Sequence, residues 1–171
     1  GGMGKTTIAR AVFETIRCRF EVTCFLADVR ENCEKKDISH MQKQLLDQMK
    51  ISSNSVHNKY DGRTMIQNSL RLKKVLLVLD DVNHGKQLEY LAGEQAWFGP
   101  GSRIIITTRD FHLLRKNKLH ETYNVEGLVE SEALNLFCLE AFNLPKPSEE
   151  FLDLTKEVVK YRGGLPFNLN H

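Results

Sequence analysis

Gly4-Lys5-Thr6-Thr7, near the head of the chain, sets a lysine and two hydroxyls directly behind a glycine. These residues match the end of the pattern G-x-x-x-x-G-K-[ST]. In that pattern backbone N–H groups surround phosphates, the lysine reaches their outer oxygens and a hydroxyl ligates Mg²⁺. Gly2 and Gly4 make the turn glycine-rich, so Gly2, Gly4, Lys5, Thr6 and Thr7 are candidate nucleotide contacts, with Thr6 the hydroxyl on the metal. The first glycine of the pattern would fall two residues upstream of Gly1, and the strand that feeds such a loop further upstream still. The sequence is therefore expected to be a fragment of a longer protein.

A second set is Leu76-Leu77-Val78-Leu79-Asp80-Asp81. A carboxylate at the C-terminal end of a buried strand lies where ligands bind in open α/β sheets. Mg²⁺ keeps several waters and needs only one or two carboxylates. Asp80 is the candidate metal residue, and Asp81 is placed to orient or deprotonate an attacking water. The third set, Thr107-Thr108-Arg109, closes another apolar run. An arginine there can reach a γ-phosphate, report its presence or stabilise charge during transfer. The fourth, Gly164-Leu165-Pro166, is on its own terms a helix stop.

These groups need a scaffold that brings strand ends together. Ile8, Ala11, Val12, Ile16 and Phe20 recur at helical spacing, so a helix follows the glycine turn and aims its free N–H groups at an anion. Val22 to Val29 is a short strand, followed by the polar stretch Arg30 to Asp37. Met41, Leu45, Leu46 and Met49 mark a helix, Ser52 to Asp61 a surface loop, and Met65, Ile66, Leu70 and Leu72 another helix. Val75 to Leu79 is an unbroken aliphatic run bounded by charges, as suits a strand buried on both faces of a parallel sheet. Gly99-Pro100-Gly101-Ser102 is a turn that opens a second such strand, Ile104 to Thr107, and Tyr123-Asn124-Val125 is a short last strand. Helices over Ser131 to Phe142 and Phe151 to Tyr161 follow. The fold class is α/β: a three-layer parallel sheet over residues 1–127, lacking its first strand, then a small helical unit over 128–171.

The bulk numbers agree with this. The chain has 171 residues, 41% hydrophobic and 27% charged, which fits one globular domain or one and part of another. A net charge of +2 is too mild to argue for a nucleic-acid partner. Cys18, Cys24, Cys33 and Cys138 form no C-x-x-C pair or zinc spacing and read as reduced thiols of a cytosolic protein. No apolar run reaches the length of a membrane span. The histidines have no partner spacing and read as surface residues.

In this order, GGMGKTT, FLADVRENCEKKD, KKVLLVLDDVN, GSRIIITTRD, YNVEGLVESEALNLF and GLPF resemble the NB-ARC module of plant disease-resistance proteins. Val82-Asn83, where the coiled-coil subclass carries tryptophan, and the Phe25 to Asp37 block look like the subclass with a Toll/interleukin-receptor-like N-terminal domain. The resemblance implies a P-loop NTPase fold and an ATP/ADP switch with Mg²⁺. Lys5, Thr6 and Thr7 would hold phosphates and metal, Asp80 the metal, Asp81 would support slow hydrolysis, and Arg109 would sense the γ-phosphate. Pro166 would pack on the adenine. In the parent the partners would be the N-terminal signalling domain, leucine-rich repeats and, on activation, further copies, in the cytoplasm or also the nucleus. The rival reading is an enzyme with steady turnover, an AAA-type ATPase or small-molecule kinase. The isolated piece is expected to bind nucleotide poorly.

Overall fold

The computed structural model describes residues 3–110, 112–113, 122–124 and 168–170. Along the chain run α1 (Met3–Ile16), β1 (Val22–Leu26), α2 (Val29–Lys35), α3 (Ile38–Gln48), α4 (Lys59–Leu70) and β2 (Val75–Val82). They are followed by α5 (Gly85–Ala92), β3 (Arg103–Thr108), β4 (Thr122–Asn124) and β5 (Asn168–Asn170). The sheet order is β1-β2-β3-β5-β4. β1, β2 and β3 are parallel, with Cys24 opposite Leu77 and Leu77 opposite Ile104.

β2 shows why the sheet has a layer on each side. Val75 through Leu79 are buried without exception, and alternate side chains point to opposite faces. Leu76 and Val78 join Ala9, Val12, Phe13 and Ile16 of α1, together with Phe25 and Ile105, in one core. Val75, Leu77 and Leu79 enter the larger core on the other face, with Met41, Leu45 and Leu46 of α3, Ile66 and Leu70 of α4, and Leu88 and Leu91 of α5. A strand covered on both sides can carry a carboxylate at its C-terminal end that is buried yet met by hydroxyls from neighbouring elements, as Asp80 is.

Local signals fix the helix starts. Asp37 accepts from the Ile38 N–H at 2.8 Å, and Asn58 Oδ1 accepts from the N–H groups of Tyr60 and Asp61 at 2.8 and 3.0 Å. The cap at Asn58 starts α4 inside the stretch expected to be loop through Asp61. Likewise α2 occupies most of the polar stretch after β1; its outward residues are charged, so only Val29 is buried. At α5 the His84 side chain accepts from the Lys86 N–H at 3.2 Å, while Gln87 Oε1 accepts from the His84 N–H at 3.2 Å. That histidine, at the surface as expected, is one half of a reciprocal helix cap.

β4 falls close to the short last strand read from the sequence. β5 pairs antiparallel with β3, Ile106 opposite Asn170, and with β4, Tyr123 opposite Leu169. Residues 168–170 thus add a short strand to the sheet. The physical reason is the edge of β3, whose unpaired main-chain groups are a template for any extended segment that reaches it. The helices expected over 131–142 and 151–161, and the boundary near residue 127, lie outside the described residues. Among the described residues no helix is long and apolar enough to cross a membrane.

One close approach locks α3, α4 and α5 together. Gln42 is fully buried, and its Nε2 donates to the carbonyls of Lys59 and Tyr90, both at 2.9 Å. It lies against Gly62, where an added Cβ would come within 2.0 Å of Gln42 Oε1 and 2.9 Å of its Cβ. Gly62→Ala is expected to lower the stability of the chain by about 1–3 kcal/mol, because overpacking outweighs the helix-propensity gain of alanine. Urea unfolding measures this; a midpoint raised by the substitution would contradict the packing argument.

Candidate nucleotide-binding site

The site is built where α1 starts and where β1, β2 and β3 end. Thr6, in the first turn of α1, donates its hydroxyl to both oxygens of Asp80, at 3.0 Å to Oδ1 and 2.9 Å to Oδ2. Thr107, near the end of β3, donates to Asp80 Oδ1 at 2.7 Å. Asp80 is only 1% exposed, so these hydroxyls satisfy a carboxylate that burial would otherwise penalise. The Thr107 hydroxyl also accepts from the Asp81 N–H at 2.8 Å, which joins the two acids through one side chain.

Lys5 is buried as well, and its ammonium donates to the Thr108 carbonyl at 2.9 Å. Burial lowers its pKa from the usual lysine value; the Arg109 guanidinium lowers it further, and Asp81 acts in the opposite direction. A buried ammonium held by one carbonyl is a group prepared for an anion. Thr108 is anchored in turn, its hydroxyl donating to the Val82 carbonyl at 2.6 Å.

Asp81 is held from two sides. Arg30 places Nε at 3.0 Å and Nη2 at 2.9 Å from Oδ2, while Arg109 Nε lies 3.3 Å from Oδ1. The Asp81 backbone is left-handed, with φ of 58°, and the β2–β3 register shifts between Leu79 and Val82. A non-glycine residue in that region is strained by about 1–3 kcal/mol, and such strain gathers at functional sites. Here the twist turns consecutive carboxylates in different directions: Asp80 toward α1, Asp81 toward the arginines.

Beside these groups lies an open cleft of about 410 Å³, walled by Lys5, Thr6, Thr7, Asp28, Asp81, Thr107 and Arg109. The volume lies within the range of small-molecule sites. The structure thus brings together Lys5, Thr6, Thr7, Asp80, Asp81 and Arg109 of the residues expected from sequence, with Gly4 in the first turn of α1. Gly2 and Pro166 lie outside the described residues. Asp28 and Arg30 were missed. For Asp28 a signal was available, since it lies two residues past the parallel strand β1, whose end the topology brings to the same edge; Arg30, in the first turn of α2, carried none.

A lysine and hydroxyl at the start of a helix, facing a strand-end carboxylate across a parallel sheet, define a P-loop nucleotide-binding domain of the α/β class. The family profile of the NB-ARC domain matches residues 1–146, and the chain belongs to that family. The chain is 46% identical over 176 residues to TMV resistance protein N of Nicotiana glutinosa, covering 99% of the chain and 15% of that protein. To Disease resistance protein RPV1 of Vitis rotundifolia it is 41% identical over 171 residues, covering 99% of the chain and 12% of the relative. To Disease resistance protein RPP2B of Arabidopsis thaliana it is 40% identical over 168 residues, covering 98% and 14%. The chain therefore spans less than a sixth of the length of each of these relatives.

The lowered pKa of Lys5 carries a sign that can be checked. Without phosphates, Lys5 loses its proton below the ordinary lysine value of 10.5; phosphates beside it favour the charged form and raise the pKa again. At alkaline pH between these two values, nucleotide binding takes up a proton, and affinity falls as pH rises through the lowered value. Calorimetry in buffers of different ionisation enthalpy should show this uptake. Proton release over that range would contradict the role given to Lys5.

Proposed function

We propose that this domain is the ATP/ADP switch of a plant intracellular immune receptor, acting in defence signalling with slow ATP hydrolysis. The observation that carries the reading is the convergence of Lys5, Thr6, Asp81 and Arg109 on one cleft, with Asp80 hydrogen-bonded to Thr6 directly behind it. Lys5, Thr6 and Thr7 hold the phosphates at the start of α1. Asp80 and Thr6 already share a hydrogen bond and are the pair that would hold Mg²⁺. Among the described residues no group of three or more His, Cys, Asp or Glu side chains could hold a metal. Mg²⁺ keeps several waters, so one carboxylate, one hydroxyl and the phosphates of the nucleotide would suffice to hold it.

Arg109 supplies the switching. A ligand shifts a conformational equilibrium only by the difference in its affinity for the two states. Arg109 lines the cleft, half exposed and ion-paired, among the described residues, with Asp81, so a γ-phosphate can take it over. ADP offers no such phosphate. Asp81 then orients the water that adds to the γ-phosphorus as the bond to ADP breaks. In the intact receptor, of the subclass with a Toll/interleukin-receptor-like domain, Pro166 packs on the adenine. ADP keeps the N-terminal domain and leucine-rich repeats closed on this module. ATP frees it to assemble with further copies, in the cytoplasm or nucleus. Nothing in the site or among the relatives favours the rival reading of a steadily cycling enzyme.

Lys5→Arg in the full-length receptor is expected to abolish nucleotide binding and signalling, because the longer, planar guanidinium does not fit the position where Lys5 meets Thr108. Normal ADP binding by that variant, measured by nucleotide content after purification, would overturn the assignment. Asp81→Val is expected to slow hydrolysis and favour the active state. Unchanged turnover of radiolabelled ATP would remove Asp81 from the water-orienting role.

A further inference from the structure

The geometry points to Arg30 as a positioning residue for hydrolysis: it fixes one oxygen of Asp81 so that the other is delivered to the attacking water. The inference rests on the water-orienting role proposed for Asp81.

The two arginines divide the Asp81 carboxylate between them. Both Nε and Nη2 of Arg30 fall on Oδ2, at 3.0 and 2.9 Å, whereas Arg109 meets only Oδ1, at 3.3 Å. The two contacts differ in kind. Arg109 lines the cleft, and a phosphate can draw it away. Arg30 is absent from the cleft lining and approaches from the β1 side, where α2 carries it. When Arg109 turns to a γ-phosphate, Oδ1 is released into the cleft while Oδ2 stays fastened. A carboxylate with one free oxygen and one immobilised oxygen can accept a hydrogen bond in a defined direction, which is what orienting a water requires.

An ordinary surface ion pair would contribute little. This one differs in setting. The Asp81 side chain is 18% exposed, and two nitrogens of one guanidinium converge on a single oxygen. The Asp81 main chain is fixed as well, by the N–H bond to Thr107 and by its left-handed φ. Backbone and one oxygen are thus both held, and rotation of the carboxylate is the remaining freedom that Arg30 removes. Phosphate binding, by contrast, needs no contribution from Arg30. Its loss should therefore act on the rate of the chemical step and spare affinity.

The test uses the full-length receptor with Arg30→Gln, Arg30→Lys, Asp81→Asn and the Arg30→Gln/Asp81→Asn double variant. Single-turnover hydrolysis of bound ATP is measured beside the dissociation constants of ATP and ADP. Arg30→Gln is expected to slow hydrolysis about tenfold with both affinities within about threefold of the parent, a small share of the effect of a positioned base. Arg30→Lys should recover part of the rate, and the double variant should be no slower than Asp81→Asn. If Asp81→Asn is slow and Arg30→Gln hydrolyses at the parent rate, the role of Arg30 is overturned and that of Asp81 stands. If Asp81→Asn itself keeps the parent rate, the reading of Asp81 fails. Parallel loss of affinity and rate in Arg30→Gln, or additive effects in the double variant, would make Arg30 a structural residue and overturn the proposal.

Discussion

A carboxylate buried at the end of the central strand is the constraint around which this domain is arranged. Asp80 is sealed from solvent and would be costly there without partners. Its oxygens are satisfied by hydroxyls from the start of α1 and the end of β3, elements far apart in sequence. That requirement places α1 over one face of the sheet, sets β3 beside β2 and stations Lys5 within reach of Thr108. The same hydroxyls and carboxylate are what a nucleotide and its metal would engage. Cohesion of the fold and preparation of the site therefore rest on one set of contacts.

The second acid shows how a small backbone irregularity divides labour. Had β2 stayed regular, Asp80 and Asp81 would alternate across the sheet, one to each layer. The left-handed turn at Asp81 and the register shift beside it keep both near the strand end but in separate environments. Asp80 meets hydroxyls, and Asp81 meets guanidinium groups. Two identical side chains thereby acquire different partners, and the proposed function gives them different roles, a metal for Asp80 and a water for Asp81.

Much of this was legible in the sequence because the relevant signals are local and strong. The aliphatic run Val75 to Leu79 announced a doubly covered strand, and the glycine-lysine-threonine order announced an anion-binding helix start. The end of β3 could be placed beside Asp80 by the logic of parallel sheets. Less legible were features that depend on tertiary partners. Arg30 sits in a stretch whose charge pattern is that of any solvated face, and only the Asp81 contact distinguishes it. His84 has no partner at metal or catalytic spacing, and its capping role depends on Gln87. β5 carries two asparagines around one leucine, a composition without strand preference, and it is a strand because β3 offers it an edge.

On the proposed function, nucleotide discrimination resides in Arg109, which would leave Asp81 for a phosphate that only ATP has. The most direct measurement is the pair of dissociation constants for ATP and ADP in the full-length protein, with and without Arg109→Ala. Loss of a charge-assisted contact should weaken ATP about tenfold or more and leave ADP nearly unchanged, so that the two affinities converge. An equal loss for both nucleotides would contradict it, because Arg109 would then serve the site as a whole and not the γ-phosphate.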